Sequence, residues 1–478
     1  MTSTLLTNIH TLATMTGSIT APDVPLTDAA ILVRDKQIAW VGRASETSPL
    51  VEFMAQHAAN DLAQVINLRD HIVIPGLVNT HHHLFQTLTR VIAQDSGLFR
   101  WLKALYPIWL GLDSVAIHTS ATIGLAELIL SGCTTASDHL YIYPNDCKID
   151  DEIRAASELG IRFTATRGSM SLGESAGGLP PDKAVESEIT ILADTRRAIE
   201  TFHDSARFAM IQVGVAPCSP FSVSTALMRE SAHLARAYGV RLHTHLAETR
   251  DEDRYCMDTF GKRPLDYAES VGWLAADVWF AHSVWFDKPD LERMGACGCG
   301  VAHCPSSNMR LASGIAPIRS MLNAGVHVGL GVDGSASNDG SHLLAEVRQA
   351  MLLQRVEDAS FGMFESPDHS DRNKSISAYE SLWIATRGGA EVLGRDDIAR
   401  IIPGYAADLV AINLNRVEFA GALHDPLAAL VFCAPRGVDF SMINGRTVVQ
   451  EARIQTVDLG PMIRRHNEIA KNLLRGLS

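Results

Sequence analysis

The feature that most constrains the fold is an alternation of short apolar segments with amphipathic ones, which runs from about residue 72 to residue 333. Short apolar runs predict buried strands, and the segments between them carry the 3.6-residue apolar period of helices. Eight strands with helices between most of them are typical of a (β/α)8 TIM-type barrel, an α/β fold. The predicted strands are 77–83, 134–139, 162–168, 211–217, 241–247, 278–283, 300–305 and 326–333.

The two ends of the chain have a different pattern. The first seventy residues contain short strand and turn segments, with Asp35-Lys36 as a hairpin turn, and Asn444-Gly445 is a favoured hairpin turn near the other end. We expect both ends to form one composite β domain. The predicted division is residues 1–70 for its first part, 71–400 for the barrel and 401–478 for its second part with a terminal helix; a polar stretch covers 357–374.

Ionisable side chains occur at the predicted strand ends, where active sites of such barrels are built. In an extended chain His81 and His83 point to one side and His82 to the other. A surface cluster or an expression tag is the alternative for a His-rich spot, but these histidines end an apolar strand well inside the chain. A catalytic zinc usually has three protein ligands and one open position, so further ligands are expected elsewhere. The other strand ends carry His245, His282, His303 and Asp333.

The fifth and eighth strands supply the remaining predicted ligands. His243 and His245 share a face, and His245 lies nearer the strand end, so we predict His245 as the ligand. Asp333 either caps a following helix or binds the metal, and the three histidines favour the metal. Glu248 follows at the start of a loop, where a carboxylate can move protons without binding the ion. A solvated Glu at a helix start is the alternative.

Other candidates are assigned by position. His282 is predicted to handle protons near the metal, with a core histidine as the alternative. We assign His303 a structural role because His81, His83, His245 and Asp333 already fill the site, and His327, early on its strand, a place in the barrel wall. The closely spaced thiols, which lack a second paired set, are predicted to be buried and structural; they are Cys297, Cys299 and Cys304.

This arrangement predicts hydrolysis of a C–N bond. One divalent ion, zinc or iron, would activate a water molecule whose proton passes to Asp333 and His282. Glu248 would protonate a ring nitrogen or the departing amine.

Composition limits the partners. The net charge of −13 argues against nucleic acid or an anionic membrane as the main partner. No apolar run is long enough to cross a bilayer, and the first twenty residues lack the pattern of a signal peptide. The eight cysteines are scattered, which favours reduced thiols. We expect a cytoplasmic enzyme with a small-molecule substrate.

Five segments together resemble the amidohydrolase superfamily over nearly the whole chain: PGLVNTHHH, LHTHLAE, FAHS, AHCPSSN and GVDGSASND. The resemblance implies the barrel and composite β domain predicted above. The fourth strand, 211–217, has no lysine for a bridging carbamate, so the chain is similar to the one-metal deaminase branch.

Within that branch, HHHLFQ (81–86) and RGSMSL (167–172) resemble deaminases of 8-oxoguanine and aminohydrolases of hydroxylated s-triazines. The resemblance implies conversion of 8-oxoguanine to urate and ammonia, with guanine or a hydroxy-s-triazine as alternatives, and a homo-oligomer. Gln86 is predicted to bind the ring through its amide; a surface Gln is the alternative. Residues 98–109 are either a lid, a subunit contact or core packing.

Two other classes were weighed. A cytidine-type zinc deaminase requires a Pro-Cys-x-x-Cys motif, but Pro217-Cys218 is followed by Ser219, Pro220 and Phe221. A non-catalytic scaffold is expected to have lost ligands, and the predicted set is complete.

Overall fold

A computed structural model describes residues 3–44, 62–361 and 375–475. Part of the predicted N-terminal unit, 45–61, and most of the predicted polar stretch, 362–374, lie outside the described residues. In chain order the strands are β1 Ser3–Leu12, β2 Leu26–Arg34, β3 Gln37–Arg43, β4 Leu62–Asn67, β5 His71–Pro75, β6 Leu77–Asn79, β7 Cys133–Leu140, β8 Arg162–Ser169, β9 Ile211–Pro217, β10 Leu242–Leu246, β11 Val278–His282, β12 Gly300–His303, β13 His327–Leu330, β14 Leu409–Asn413, β15 Phe440–Ile443, β16 Arg446–Gln450 and β17 Arg453–Ile454.

Strands β6 to β13 form a closed barrel of eight parallel strands, which confirms the predicted fold class. Closure occurs where β13 pairs with β6 at Leu330 and Asn79. The first and last barrel strands are shorter than predicted, because backbone pairing stops before the site residues. His81 and His83 therefore follow β6, and Asp333 lies three residues beyond β13 with a left-handed backbone, φ 62°.

Helices connect most of the barrel strands and cover the outside of the barrel. Ser114–Leu130 begins at an Asp113 cap that accepts from the Ala116 N–H, the local signal that starts many of these helices. The longer described helices are Leu98–Trp109, Ser114–Leu130, Ile149–Leu159, Glu188–Phe202, Thr225–Tyr238, Arg250–Phe260, Lys288–Cys297, Leu343–Phe361 and Leu459–Arg475; the shorter ones are Pro264–Ser270, Pro305–Arg310, Ile318–Asn323, Ala378–Trp383, Gly389–Val392 and Pro426–Phe432.

The ends of the chain meet in one sheet of order β17-β16-β15-β14-β5-β1-β2-β3, with β4 beside β1. The hairpin turns at Asp35-Lys36 and Asn444-Gly445 are confirmed. The predicted division gave β5 to the barrel, but β5 pairs with β1 and β14 in the sheet, and β6 begins the barrel. An apolar strand has the same pattern in both places, so the sequence could not separate them.

A buried ion pair joins the sheet unit to the barrel. Arg162, at the start of β8, donates from Nε and Nη2 to the two carboxylate oxygens of Asp408, at 3.0 and 3.2 Å. Asp408 immediately precedes β14. Both side chains are about 1% exposed, so removing either partner leaves an uncompensated buried charge. No helix in the described ranges is both long and apolar enough to span a membrane.

Candidate active site

The ends of four barrel strands bring the predicted metal ligands together. Oδ1 of Asp333 lies 3.2 Å from His81 Nε2 and 3.3 Å from His83 Nε2. Nε2 of His83 lies 3.1 Å from Nε2 of His245. All four side chains are buried. Three imidazole nitrogens and one carboxylate oxygen therefore face a common point.

The tautomer of His81 is fixed by a chain of two hydrogen bonds. Nδ1–H of His243 donates to the Trp279 carbonyl at 2.9 Å, because a carbonyl can only accept. Nε2 of His243 is then an acceptor, and Nδ1–H of His81 donates to it at 2.8 Å. The lone pair of His81 is thus on Nε2, the atom that faces Asp333. His243, the alternative ligand on this strand, holds His81 in place.

The other two histidines are oriented in the same way. Nδ1–H of His83 donates to the His139 carbonyl at 2.7 Å, and Nδ1–H of His245 donates to the Cys218 carbonyl at 2.7 Å. Each therefore presents the lone pair of Nε2. Burial lowers the pKa of His83, and it lowers that of His245 to about 3, so both imidazoles are neutral, as metal ligands must be.

The carboxylate of Asp333 has two different environments. Oδ2 accepts from the hydroxyls of Ser307, at 2.5 Å, and Ser337, at 3.1 Å. Oδ1 and His81 Nε2 are buried and have no hydrogen-bond partner among the described residues. A divalent ion would satisfy both atoms, and nitrogen plus carboxylate donors suit zinc or another transition metal. The donor set fits such an ion.

Glu248 and His282 lie beside these donors. Nε2 of His282 is 3.6 Å from Glu248 Oε2 and 3.9 Å from Asp333 Oδ2, and Nδ1–H of His282 donates to Asn308 Oδ1 at 2.9 Å. Burial opposes the charged form of His282, but the carboxylates of Glu248 and Asp333 outweigh it and raise the His282 pKa. Burial raises the pKa of Glu248. The pair can therefore hold a proton at neutral pH.

Two neighbours hold the Glu248 carboxyl in place. The carboxylate of Glu252 accepts from the backbone N–H groups of Ala247 and Glu248, at 2.9 and 3.0 Å. The Ser313 hydroxyl donates to Glu248 Oε1 at 3.3 Å. Glu252 is buried, and burial raises its pKa to about 7. The sequence analysis missed Glu252, because helix-starting acidic residues are common and nothing in the pattern marks this one.

A cavity of about 410 Å³ opens above the donors. The helix Leu98–Trp109 lies over it, so this segment covers the site. Gln86 is buried rather than on the surface; its Nε2–H donates to the Tyr141 hydroxyl at 3.2 Å. The cavity is lined by His83, Gln86, Leu98, Trp101, Leu102, Tyr106, Tyr141, Cys218, Ser219, Phe221, His245, Glu248, His282, Leu311, Asp333 and Ser337.

Several candidates lie apart from the donors. His303 is buried at the end of β12, and His327 is half-exposed, with Nδ1 3.1 Å from Glu391 Oε2. His82 points away from the donors, with Nε2 2.9 Å from the Ser341 hydroxyl. Among the described residues, the groups of possible metal donors contain no cysteine. Cys299 and Cys304 are buried and all eight cysteines are free.

One histidine near the donors was missed. His139 is at the end of β7, next to Leu140, and a ring nitrogen of His139 lies within 4.8 Å of donor atoms of His81, His83 and His245. The predicted strand 134–139 ended at this residue, so the rule applied to the other strand ends could have found it.

Replacing His303 by Asn is expected to destabilise the protein less at low pH than at neutral pH. Burial lowers the pKa of His303 to about 3, against 6.5 for an exposed histidine. Between these values the unfolded chain binds a proton that the folded chain does not, so His303 lowers stability as pH falls below 6.5. The gap in unfolding free energy between wild type and variant should narrow by about 2 kcal/mol from pH 7.5 to pH 5. Urea denaturation of the zinc-saturated proteins measures it, and a constant gap would contradict it.

Comparison with known proteins gives related enzymes over nearly the whole chain. The amidohydrolase family profile matches residues 72–448. The chain is 45% identical over 441 residues to 8-oxoguanine deaminase of Pseudomonas aeruginosa, which spans 91% of this chain and 95% of that protein. It is 38% identical over 487 residues to hydroxydechloroatrazine ethylaminohydrolase of Pseudomonas sp. (strain ADP), spanning 100% and 97%.

Among solved structures, the fold is similar to atrazine chlorohydrolase from Arthrobacter aurescens TC1 complexed with zinc. The TM-score is 0.88 at 31% sequence identity, and the match covers 98% of this chain and 100% of that one.

Proposed function

Because the chain belongs to the amidohydrolase family and is a hydrolase of C–N bonds that acts on heterocycles, we propose that it deaminates 8-oxoguanine to urate and ammonia. The relative at 45% identity, an 8-oxoguanine deaminase, supports this substrate over a hydroxy-s-triazine, the type of ring named in the relative at 38% identity. Guanine is the third candidate. All three rings are planar, rich in nitrogen and carry an exocyclic amine.

We propose that His81, His83, His245 and Asp333 hold one divalent ion, zinc first and iron second. The observation that carries this proposal is the convergence of three oriented Nε2 atoms on Oδ1 of Asp333. A bound ion would supply Lewis-acid activation of the attacking water and of the ring carbon. The zinc in the related chlorohydrolase structure supports the choice of metal.

Proton transfer is assigned to three side chains. Water adds to the ring carbon that bears the amine, and the proton that the water loses passes to Asp333 or His282, whose reactive atoms are 3.9 Å apart. Glu248, protonated because burial raises its pKa, gives a proton to the ring nitrogen and then to the amine. The C–N bond breaks, ammonia leaves, and the ring keeps the water oxygen as a carbonyl.

The cavity favours a flat aromatic ring. Its walls are mainly apolar, with Trp101, Leu102 and Phe221 available to pack on ring faces. Gln86 is assigned to the ring edge. Its Nε2 is shared with the Tyr141 hydroxyl, and its Oε1 is buried without a partner among the described residues. A ring N–H would satisfy that oxygen.

The substrate assignment is tested by ammonia release from 8-oxoguanine, guanine and an amino-hydroxy-s-triazine with the zinc-loaded protein. We expect kcat/KM for 8-oxoguanine to exceed that for the other two by at least about 10²-fold, since a polar site discriminates strongly against a ring that leaves its groups unpaired. Gln86→Ala should narrow that ratio, and Gln94→Ala, an exposed amide outside the cavity, should not. Turnover of the triazine alone would replace the substrate.

Assembly and location belong to the same proposal. We propose a homo-oligomer that works in the cytoplasm, without nucleic acid or membrane as a partner. Size-exclusion chromatography with light scattering measures the assembly state, and a mass near 51.9 kDa, that of one chain, would contradict the oligomer.

A further inference from the structure

We propose that His139 is a further nitrogen donor to the metal ion, so that β7 contributes to the metal centre together with the other strand ends. This inference rests on the proposed metal site. It concerns a side chain outside the set His81, His83, His245 and Asp333.

The hydrogen bonds of His139 leave one nitrogen free. Its Nε2–H donates to the Ala216 carbonyl at 2.9 Å, which assigns the ring proton to Nε2. The lone pair is then on Nδ1, which is buried and has no hydrogen-bond partner in the part of the chain that the structure describes. His139 is 0% exposed. A buried acceptor without a partner is unfavourable, and a bound cation would remove that cost.

The surroundings of His139 are other metal donors. Its ring stacks on that of His245, with centroids 5.0 Å apart and planes inclined by 23°. The ring of His83 is 5.4 Å away, centroid to centroid, and that of His243 is 5.3 Å away. Burial keeps the pKa of His139 well below its usual value, and the neighbouring imidazoles lower it further. The ring is therefore neutral and able to bind a cation.

The described residues contain two overlapping donor groups. One consists of His81, His83, His139 and His245, and the other of His81, His245, His282 and Asp333. Both include His81 and His245. The first group is made of imidazoles alone and does not use Asp333. His139 therefore gives the ion a fourth imidazole that is independent of the carboxylate.

Zinc-edge X-ray absorption of the wild-type protein tests the assignment by counting imidazole ligands. We expect four imidazoles in the wild type and three in His139→Asn. Chelator competition should show zinc affinity at least about 100-fold weaker in His139→Asn, beyond the usual effect of a residue that only supports a ligand. His303→Asn is the matched control, because His303 is also buried at a strand end with Nδ1 unpartnered but lies outside both donor groups. Its imidazole count and affinity should be unchanged.

A second variant removes the carboxylate. Asp333→Asn should retain zinc with four imidazoles, whereas the double variant Asp333→Asn/His139→Asn should lose it. Three imidazoles in the wild type, or an unchanged count in His139→Asn, would overturn the role of His139 and leave the proposed function standing. A wild-type protein that binds no zinc at this site would overturn both. If His139→Asn does not fold, the wild-type count alone decides.

Discussion

Replacing Glu248 by Gln is expected to lower kcat for deamination by about 10²–10⁴-fold, the usual contribution of a positioned general acid or base. Glutamine keeps the shape of the side chain and its contact with Ser313, but it has no proton to give to the leaving amine. Zinc content should be unchanged, because Glu248 is not among the proposed ligands. KM should change little, since the cavity keeps its volume.

Glu346→Gln is the matched control for that substitution. Glu346 is also a buried carboxyl, with a pKa raised by burial to about 7, but it does not line the cavity. It accepts from Ser306 N and Asn338 Nδ2 instead. We expect less than about a 10-fold change in kcat for this variant, because only proton transfer by a group at the substrate carries the larger effect. Steady-state ammonia release compares the two variants, and equal rates would remove Glu248 from proton transfer.

Replacing His83 by Asn is expected to abolish both zinc retention and activity. Nε2 of His83 is 3.1 Å from that of His245 and 3.3 Å from Asp333 Oδ1, so its loss opens the centre of the donor set. A catalytic zinc depends on each of its few protein ligands. Zinc measured by mass spectrometry after gel filtration should be absent, and ammonia release should be at background.

His82→Asn is the control within the same tripeptide. His82 is equally buried, but its Nε2 is 2.9 Å from the Ser341 hydroxyl and its ring faces away from the donors. We expect this variant to retain zinc. Retention of zinc by His83→Asn, or its loss from His82→Asn alone, would contradict the assignment of the first and third histidines.

The strand ends were the most predictable part of the site. The period of two along an extended chain separates His81 and His83 from His82, and barrel closure then brings residues from distant segments together. That logic needs only the order of strands and the position of each polar residue. It applies equally to His245, His282 and Asp333.

The contacts that adjust the site were not predictable in this way. Glu252 reaches the backbone of Ala247 through a loop conformation, and the partner of His81 depends on the exact register of His243 beside Trp279. Such contacts are set by backbone positions to within an ångström, which sequence patterns do not specify. The burial of Gln86 depends similarly on how the cavity closes above it.

The most direct test of the metal centre is a crystal of the zinc-loaded protein with diffraction measured on both sides of the zinc absorption edge. The account predicts one anomalous peak within bonding distance of His81 Nε2, His83 Nε2, His245 Nε2 and Asp333 Oδ1, about 2.0–2.2 Å from each. A peak elsewhere, or none at the barrel strand ends, would contradict it.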